Sequence, residues 1–145
     1  MTKLFRKILC PVAFDDNSIA ALTMACDLTE GRDATIYLLH VVPTPTIPGS
    51  PIPMEPFPQT EHDARAKLEE IARDHLEGKV KYQILSRTGD PARIAIQILD
   101  EVGADSIVMA THGRKGVSHF FLGSVAERVV RESPRPVLTV RGSAD

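Results

Sequence analysis

The sequence predicts an α/β fold with one open, five-stranded, mostly parallel sheet and helices on both faces. Three observations lead to this prediction. Strand and helix signals alternate along the chain, as they do in proteins with parallel sheets. Two candidate strands, residues 34–42 and 106–110, are apolar almost throughout, which is typical of strands covered on both faces. The length of 145 residues suits one domain, which we expect to span residues 1–145.

The first half of the chain predicts two strands and two helices. Residues 8–12 form the first strand, and residues 34–42 form a second strand that we expect to be central. Residues 60–76 carry an apolar stripe among charged residues and predict a helix. The helix between the two strands should end at Gly31, and its N-cap is expected at Asp16, Asn17 or Ser18.

A proline-rich segment separates the second strand from the second helix. Seven of the eleven prolines lie between Pro43 and Pro58. This density excludes regular helix and favours an extended, exposed loop. Because the 42 residues before it are too few for a domain of their own, we expect the loop 43–58 to lie within the single domain.

The second half of the chain predicts three more strands and two more helices. Residues 79–84 alternate between polar and apolar, which indicates a strand at the margin of the sheet. Asp90 and Pro91 begin a helix that Gly103 ends. The remaining elements are the strand 106–110, the helix 124–131 and the strand 137–140.

Composition and charge argue against two classes of partner. The formal net charge of −2 lacks the basic footprint of a nucleic-acid-binding protein. Residues 1–7 lack the apolar core of a secretory signal, and no apolar run approaches the ~18 residues that a membrane-spanning helix requires. We therefore expect a cytoplasmic protein without nucleic-acid or membrane partners.

Three strand ends are candidates for a binding site, namely those after Val12, Val41 and Ala110. After Ala110, a glycine-containing segment leads to Gly123 and Ser124 at the start of a helix. Glycine allows backbone amides to approach a ligand, and a helix amino terminus attracts anions. The alternative is that the glycines only shape turns and that Ser124 only caps its helix.

Common catalytic and nucleotide-binding motifs are missing from the sequence. Neither G-x-x-x-x-G-K-[ST] nor G-x-G-x-x-G occurs, which argues against a P-loop or dinucleotide-binding domain. The sequence contains no G-x-S-x-G, no H-E-x-x-H and no obvious base for hydrolysis. We expect a binding protein rather than an enzyme.

Five segments resemble the universal stress protein family, and the resemblance spans about residues 5 to 141. Its nucleotide-binding members carry a G-x2-G-x9-G-[ST] pattern, which here begins with Ala110 and continues through Gly113 to Gly123-Ser124. The resemblance implies a Rossmann-like fold similar to that of the adenine nucleotide alpha hydrolases. The matching segments are Ile8–Val12, Leu39–Val41, Met109–Arg114, Leu122–Ala126 and Pro136–Leu138.

The resemblance implies a site for ATP or AMP. Base and ribose would lie at the ends of strands one, two and four, and the phosphates would lie near the last helix. A Mg²⁺ or Mn²⁺ ion would accompany the phosphates, although no pair of carboxylates is spaced to hold one unaided. The implied nucleotide-binding residues are Pro11, Val12, Val41, Ala110, Gly113, Arg114, Gly123, Ser124 and Val125.

One position of the implied site departs from the family pattern. The family places aspartate two residues after the first-strand proline, where this chain has Ala13. The base contact would then depend on backbone groups around Val12 and on Val41. A neighbouring aspartate, Asp15 or Asp16, would need a different loop shape to replace it.

The resemblance also implies a homodimer that acts as a stress-response or regulatory module. The strand Val137 to Val140 would pair across the two-fold axis. Two alternatives remain open at this stage. One is a slow ATPase or phosphotransferase, and the other is a dimeric interaction protein that binds no nucleotide.

Overall fold

A computed structural model describes residues 4–43, 60–111 and 123–141 of the chain. Within these ranges, five strands form one sheet in the order β3-β2-β1-β4-β5, and each neighbouring pair is parallel. The predicted fold class is therefore confirmed. The elements in chain order are β1 (Lys7–Pro11), α1 (Asp16–Thr29), β2 (Thr35–Val42), α2 (Glu61–His75), β3 (Lys81–Thr88), α3 (Pro91–Val102), β4 (Ser106–Ala110), α4 (Ser124–Glu132) and β5 (Val137–Val140).

The helices cover the two faces of the sheet in pairs. Ile8 and Cys10 of β1 pack in one hydrophobic cluster with residues of α1 and α2. Leu9 packs in a second cluster with residues of α3 and α4 on the opposite face. Successive side chains of a strand point to opposite faces, so the interior strands must be apolar on both. This requirement explains the continuous apolar character of β2 and β4.

The positions of the strands agree with the predictions except for the bounds of β3 and the place of β2 in the sheet. β3 lies at the margin as predicted, but it begins at Lys81 rather than 79 and continues to Thr88 instead of stopping at 84. Pairing with β2 extends it, because the ladder continues to Val42 opposite Thr88. β2 is an interior strand, whereas the central position belongs to β1.

Helix boundaries follow the predicted capping residues with one correction. Asp90 caps α3 by accepting the N–H of Arg93 at 3.2 Å, and Gly103 ends it in the left-handed conformation. The N-cap of α1, however, is Asp15 and not Asp16, Asn17 or Ser18 as predicted. Phe14 adopts a left-handed backbone with φ of 61°, which starts the helix earlier than the local pattern indicates.

Two predictions, on the proline-rich loop and on membrane-spanning helices, can be compared with the structure only over the described residues. Apart from Pro43, the proline-rich loop 43–58 lies outside the described residues. Within the described ranges, no helix is both long enough and apolar enough to cross a membrane.

Asp105 joins the beginnings of β1 and β4. Its carboxylate accepts the backbone N–H groups of Phe5 at 2.9 Å, Arg6 at 3.0 Å and Lys7 at 2.9 Å. The Asp105 N–H in turn donates to the Lys7 carbonyl at 2.9 Å. Phe5 has a φ of 62°, an unfavourable conformation for a bulky residue. The carboxylate thus stabilises the turn that delivers β1 to the centre of the sheet.

We expect Asp105→Ala to lower the free energy of unfolding by about 2–3 kcal/mol, because charge-assisted hydrogen bonds to three amides are lost. Urea denaturation measures this change. The matched control is Asp100→Ala, which removes an exposed carboxylate of α3 and should change stability by less than about 0.5 kcal/mol. Equal effects of the two substitutions would contradict the role of Asp105.

Candidate functional site

The strand order reverses between β1 and β4. From β1 the chain builds the sheet through β2 to β3 at one edge, and from β4 it builds to β5 at the other. Open parallel sheets bind ligands at the carboxyl ends of the strands at such a point. Because all neighbours are parallel, the ends of β2, β1 and β4 lie side by side there. The three strand ends singled out from the sequence, after Val12, Val41 and Ala110, are therefore adjacent.

Pro11 ends the pairing between β1 and β4 below this edge. The β1–β4 register covers Ile8 and Leu9, whereas pairing with β2 continues until the Val12 N–H donates to the Leu39 carbonyl at 2.8 Å. Consecutive residues of a strand direct their backbone groups to alternate neighbours. Val12 faces β2, so Pro11 faces β4, and proline has no N–H to donate. The rung is therefore missing at the reversal of strand order, where open parallel sheets have their ligand-binding crevice.

Two buried side chains fix the peptide group between Val12 and Ala13. His40 Nδ1 lies 2.8 Å from the Val12 carbonyl oxygen, and Ser18 Oγ accepts the Ala13 N–H at 2.8 Å. Ser18 is 3% exposed and His40 is 7% exposed. Since a carbonyl oxygen can only accept, Nδ1 carries the proton of the neutral imidazole. Both polar ends of one peptide plane are thus held at the exit of β1.

Aromatic and charged groups surround the His40 ring. The ring centroids of Phe14 and His40 lie 4.4 Å apart, and Lys67 Nζ lies 5.6 Å from the centroid of Phe14. Within the described ranges, His40 Nε2 and Asp15 Oδ2 are buried and have no hydrogen-bond partner. Burial lowers the pKa of His40, the hydrogen bond to Val12 opposes this shift, and the positive charge of Lys67 adds to it.

The opposite wall of the crevice is formed by the end of β4 and the start of α4. Thr111 donates its N–H to the Val140 carbonyl at 3.0 Å, and its own carbonyl accepts the Gly123 N–H at 2.6 Å. Gly123 is the N-cap of α4 and makes no side-chain cap. The other three helices are capped by Asp15, Thr60 and Asp90.

The first amides of α4 lie at the carboxyl edge of the sheet, and none of them is capped by a side chain among the described residues. The first N–H groups of a helix have no partner within the helix, and they carry a partial positive charge. Ser124 is exposed and belongs to the first turn. The alternative interpretation of Ser124 as a capping residue is therefore wrong. Its hydroxyl and the amides around it are chemically suited to an anion.

The structure brings most of the predicted site residues to this one edge. Gly113 and Arg114 lie outside the described residues, so their roles stay predictions. The Val41 side chain is buried in the core, which leaves only its backbone for a ligand. The residues that meet at the edge are Pro11, Val12, Val41, Ala110, Gly123, Ser124 and Val125.

Sequence reasoning missed His40 and Ser18 as parts of this edge. His40 interrupts an otherwise apolar strand, and that interruption was the available signal. Ser18 gave no signal beyond its proximity to the helix start. In the described ranges, no group of three or more His, Cys, Asp or Glu side chains is placed to hold a metal ion.

Comparisons of sequence relate the chain to one family. The model described as the universal stress protein family matches residues 4–141. A universal stress protein of Methanocaldococcus jannaschii is 31% identical over 144 residues, which cover 95% of this chain and 83% of the relative. Another, from Methanothermobacter thermautotrophicus, is 32% identical and the match covers 97% of this chain and 99% of the relative.

Comparisons of structure find the same fold. The M. jannaschii protein MJ0577 matches with a TM-score of 0.78 at 23% identity, covering 98% of this chain and 99% of that one. A universal stress protein in complex with cAMP matches with a TM-score of 0.67 at 20% identity, covering 97% and 100%. One from Archaeoglobus fulgidus in complex with dAMP has a TM-score of 0.58 at 19% identity, covering 96% and 98%.

We expect His40 to make the folded protein sensitive to acid. Its pKa is lowered in the folded state from the usual 6.5, so the unfolded chain binds the proton more readily. The stabilisation is complete above the unfolded-state pKa of about 6.5 and is lost as the pH falls from there through the lowered folded-state pKa. Urea denaturation at pH 7.5 and pH 5.0 should show a smaller loss for His40→Asn than for the parent protein.

The control for this measurement is His62→Asn, which replaces an exposed histidine of α2. It should lose as much stability between the two pH values as the parent. An identical loss in His40→Asn would show that the buried imidazole does not contribute to the acid sensitivity.

Proposed function

The chain belongs to the universal stress protein family, and we propose that it is a member that binds ATP or AMP. The nucleotide would occupy the crevice at the carboxyl ends of β1, β2 and β4. The observation that carries this proposal is the uncapped amino terminus of α4 next to the reversal of strand order. Two structural neighbours described as complexes with cAMP and dAMP support an adenine nucleotide as the ligand class.

The phosphates would bind at the start of α4. Gly123 offers no side chain that would fill the space in front of the first amides, so an anion can approach the backbone closely. Ser124 adds a hydroxyl donor, and Gly113 and Arg114 would complete this part of the site. A Mg²⁺ or Mn²⁺ ion would be held chiefly by phosphate oxygens, since hard cations prefer oxygen ligands.

The base and ribose would bind at the ends of β1 and β2. The Val12 N–H is bonded to Leu39 and the Ala13 N–H to Ser18, so neither amide is available to the ligand. Ala13 supplies no carboxylate, and Asp15 uses Oδ1 to accept the Ser18 N–H at 2.8 Å. The backbone of Val41 and the backbone carbonyls around Val12, at the end of β1, would therefore provide the polar contacts with the base.

We further propose a homodimer joined through β5, because the two edges of the sheet differ. On β3, the outward carbonyl of Ile84 accepts from Arg65 at 3.2 Å, and that of Ser86 accepts from Arg87 at 3.1 Å. Charged side chains bonded to an edge protect it from pairing.

The β5 edge carries no such protection within the described ranges. The carbonyls of Pro136 and Val140 accept bonds from β4, so the intervening residues Val137 and Thr139 direct their backbone groups outward. No described side chain is bonded to these groups, and all four residues of β5 are half-buried. A two-fold related β5 would satisfy them in a closed pair.

The first test of nucleotide binding is mass spectrometry of small molecules released from the denatured protein, followed by calorimetric titration with ATP and AMP. We expect micromolar or tighter binding of at least one nucleotide. Gly123→Val should abolish it, because the added side chain fills the approach to the first amides. Ser124→Ala should weaken binding by about 3- to 10-fold, the effect of one hydrogen bond.

Thr23→Ala is the matched control, since it removes an exposed hydroxyl from the middle of α1 and should leave the affinity unchanged. Absence of nucleotide and of binding would overturn the proposal and favour an interaction protein without nucleotide. Multiple-turnover phosphate release that disappears in Gly123→Val would favour the slow ATPase or phosphotransferase instead.

Light scattering tests the proposed dimer. The parent protein should have a mass near twice 15.9 kDa. Thr139→Pro should yield a monomer, because it removes an outward N–H while leaving the rungs to β4 intact. Thr139→Val keeps the N–H and should remain dimeric. A dimeric Thr139→Pro variant, or a monomeric parent, would exclude pairing through β5.

A further inference from the structure

The last rung between β1 and β2 departs from a regular parallel ladder. The Val12 N–H donates to the Leu39 carbonyl, so both residues direct their backbone groups toward each other's strand. A regular ladder would continue with the Val41 N–H donating to the Val12 carbonyl. No such bond is present among the described residues. His40 Nδ1 occupies that carbonyl instead, at 2.8 Å.

The surroundings of His40 make this replacement stable. Its side chain lies on the α1/α2 side of β2, where it is 7% exposed and the Phe14 ring packs at 4.4 Å. Ser18 accepts the N–H at the other end of the same peptide plane at 2.8 Å, so both polar ends of this peptide are bonded to side chains. Phe14, with its left-handed backbone, then leads the chain away from β2.

Because His40 bonds the Val12 carbonyl, one backbone donor is left at the edge of the crevice. Val41 lies two residues after Leu39 and directs its N–H to the same side, toward the end of β1. The opposite side of β2 is occupied at this level, since the Val42 carbonyl accepts the Gly89 N–H at 2.9 Å. The Val41 amide thus points at the region between the ends of β1 and β2 and lacks its ladder acceptor.

We propose that His40 is a positioning residue that keeps the Val41 amide available to the ligand. By donating to the Val12 carbonyl, His40 takes the place that the Val41 N–H would otherwise fill. The freed amide fits a base with an unprotonated ring nitrogen on its hydrogen-bonding edge, such as N1 of adenine. Guanine and hypoxanthine carry an N–H at that position and would oppose the amide with a second donor. This inference rests on the proposed function.

Two substitutions separate the hydrogen bond from the bulk of the ring. In His40→Asn, the side-chain amide can place an N–H where Nδ1 lies, so the Val12 carbonyl stays occupied. In His40→Leu, no donor remains, and the Val41 N–H is expected to close the rung with Val12. His62→Leu, at an exposed position of α2, is the matched control.

Two readouts test the proposal, namely calorimetric titration with AMP and IMP and NMR hydrogen exchange at the Val41 amide. His40→Leu should weaken AMP binding by about 3- to 10-fold and reduce the preference for AMP over IMP. Its Val41 amide should exchange more slowly without nucleotide than that of the parent. His40→Asn and His62→Leu should match the parent in both readouts.

The outcomes that overturn the proposal are distinct from a failure of nucleotide binding. Parent-like affinity in His40→Leu, or equal losses in His40→Leu and His40→Asn with unchanged Val41 exchange, would exclude the positioning role. If the parent binds no nucleotide, the proposed function fails. Slower hydrogen exchange of the Val41 amide in His40→Leu would then still support the replacement of Val41 by His40 as donor to the Val12 carbonyl. Unchanged hydrogen exchange would overturn that replacement as well.

Discussion

The end of β1 is the constraint on which the rest of the carboxyl edge depends. β1 is the central strand, and its backbone groups must be satisfied on both sides until the chain leaves the sheet. Pro11 ends the bonds to β4, and His40 and Ser18 take over the peptide that follows. The crevice, the start of α1 and the free Val41 amide all follow from this change of hydrogen-bond partners.

Elsewhere, carboxylates join elements that lie far apart in the sequence. Asp105 ties the beginning of β1 to that of β4. Asp90 Oδ2 caps α3 and also accepts a hydrogen bond from Arg128 of α4 at 2.7 Å, so the start of α3 is linked to the middle of α4. The Asp90–Arg128 pair is partly exposed and therefore adds little stability by itself. Its effect is to orient α4, whose uncapped terminus is the proposed phosphate site.

The two sides of the proposed site differ in which backbone N–H donors remain available to a ligand. At β1 and β2, the Val12 N–H is bonded to the Leu39 carbonyl and the Ala13 N–H to the Ser18 hydroxyl, which leaves the N–H of Val41 as a donor. At α4, no described side chain accepts the first amides, and the N-cap residue, Gly123, has no side chain. A ligand with a flat, acceptor-bearing ring at one end and phosphates at the other matches this division of donors.

The sequence by itself determined the order and type of the nine elements that the structure describes, because apolar periodicity and capping residues such as Asp90 and Gly103 are local signals. It also indicated Gly123 and Ser124, since the family spacing is visible in one chain. The tertiary structure decided the cap at Asp15, the extension of β3 to Thr88 and the role of His40. The cap at Asp15 follows the left-handed backbone of Phe14, which no residue pattern indicated. The extension of β3 depends on pairing with β2, and the His40 contact depends on Val12, which lies 28 residues away in the chain. One-dimensional patterns record neither strand pairing nor which donor bonds a given carbonyl.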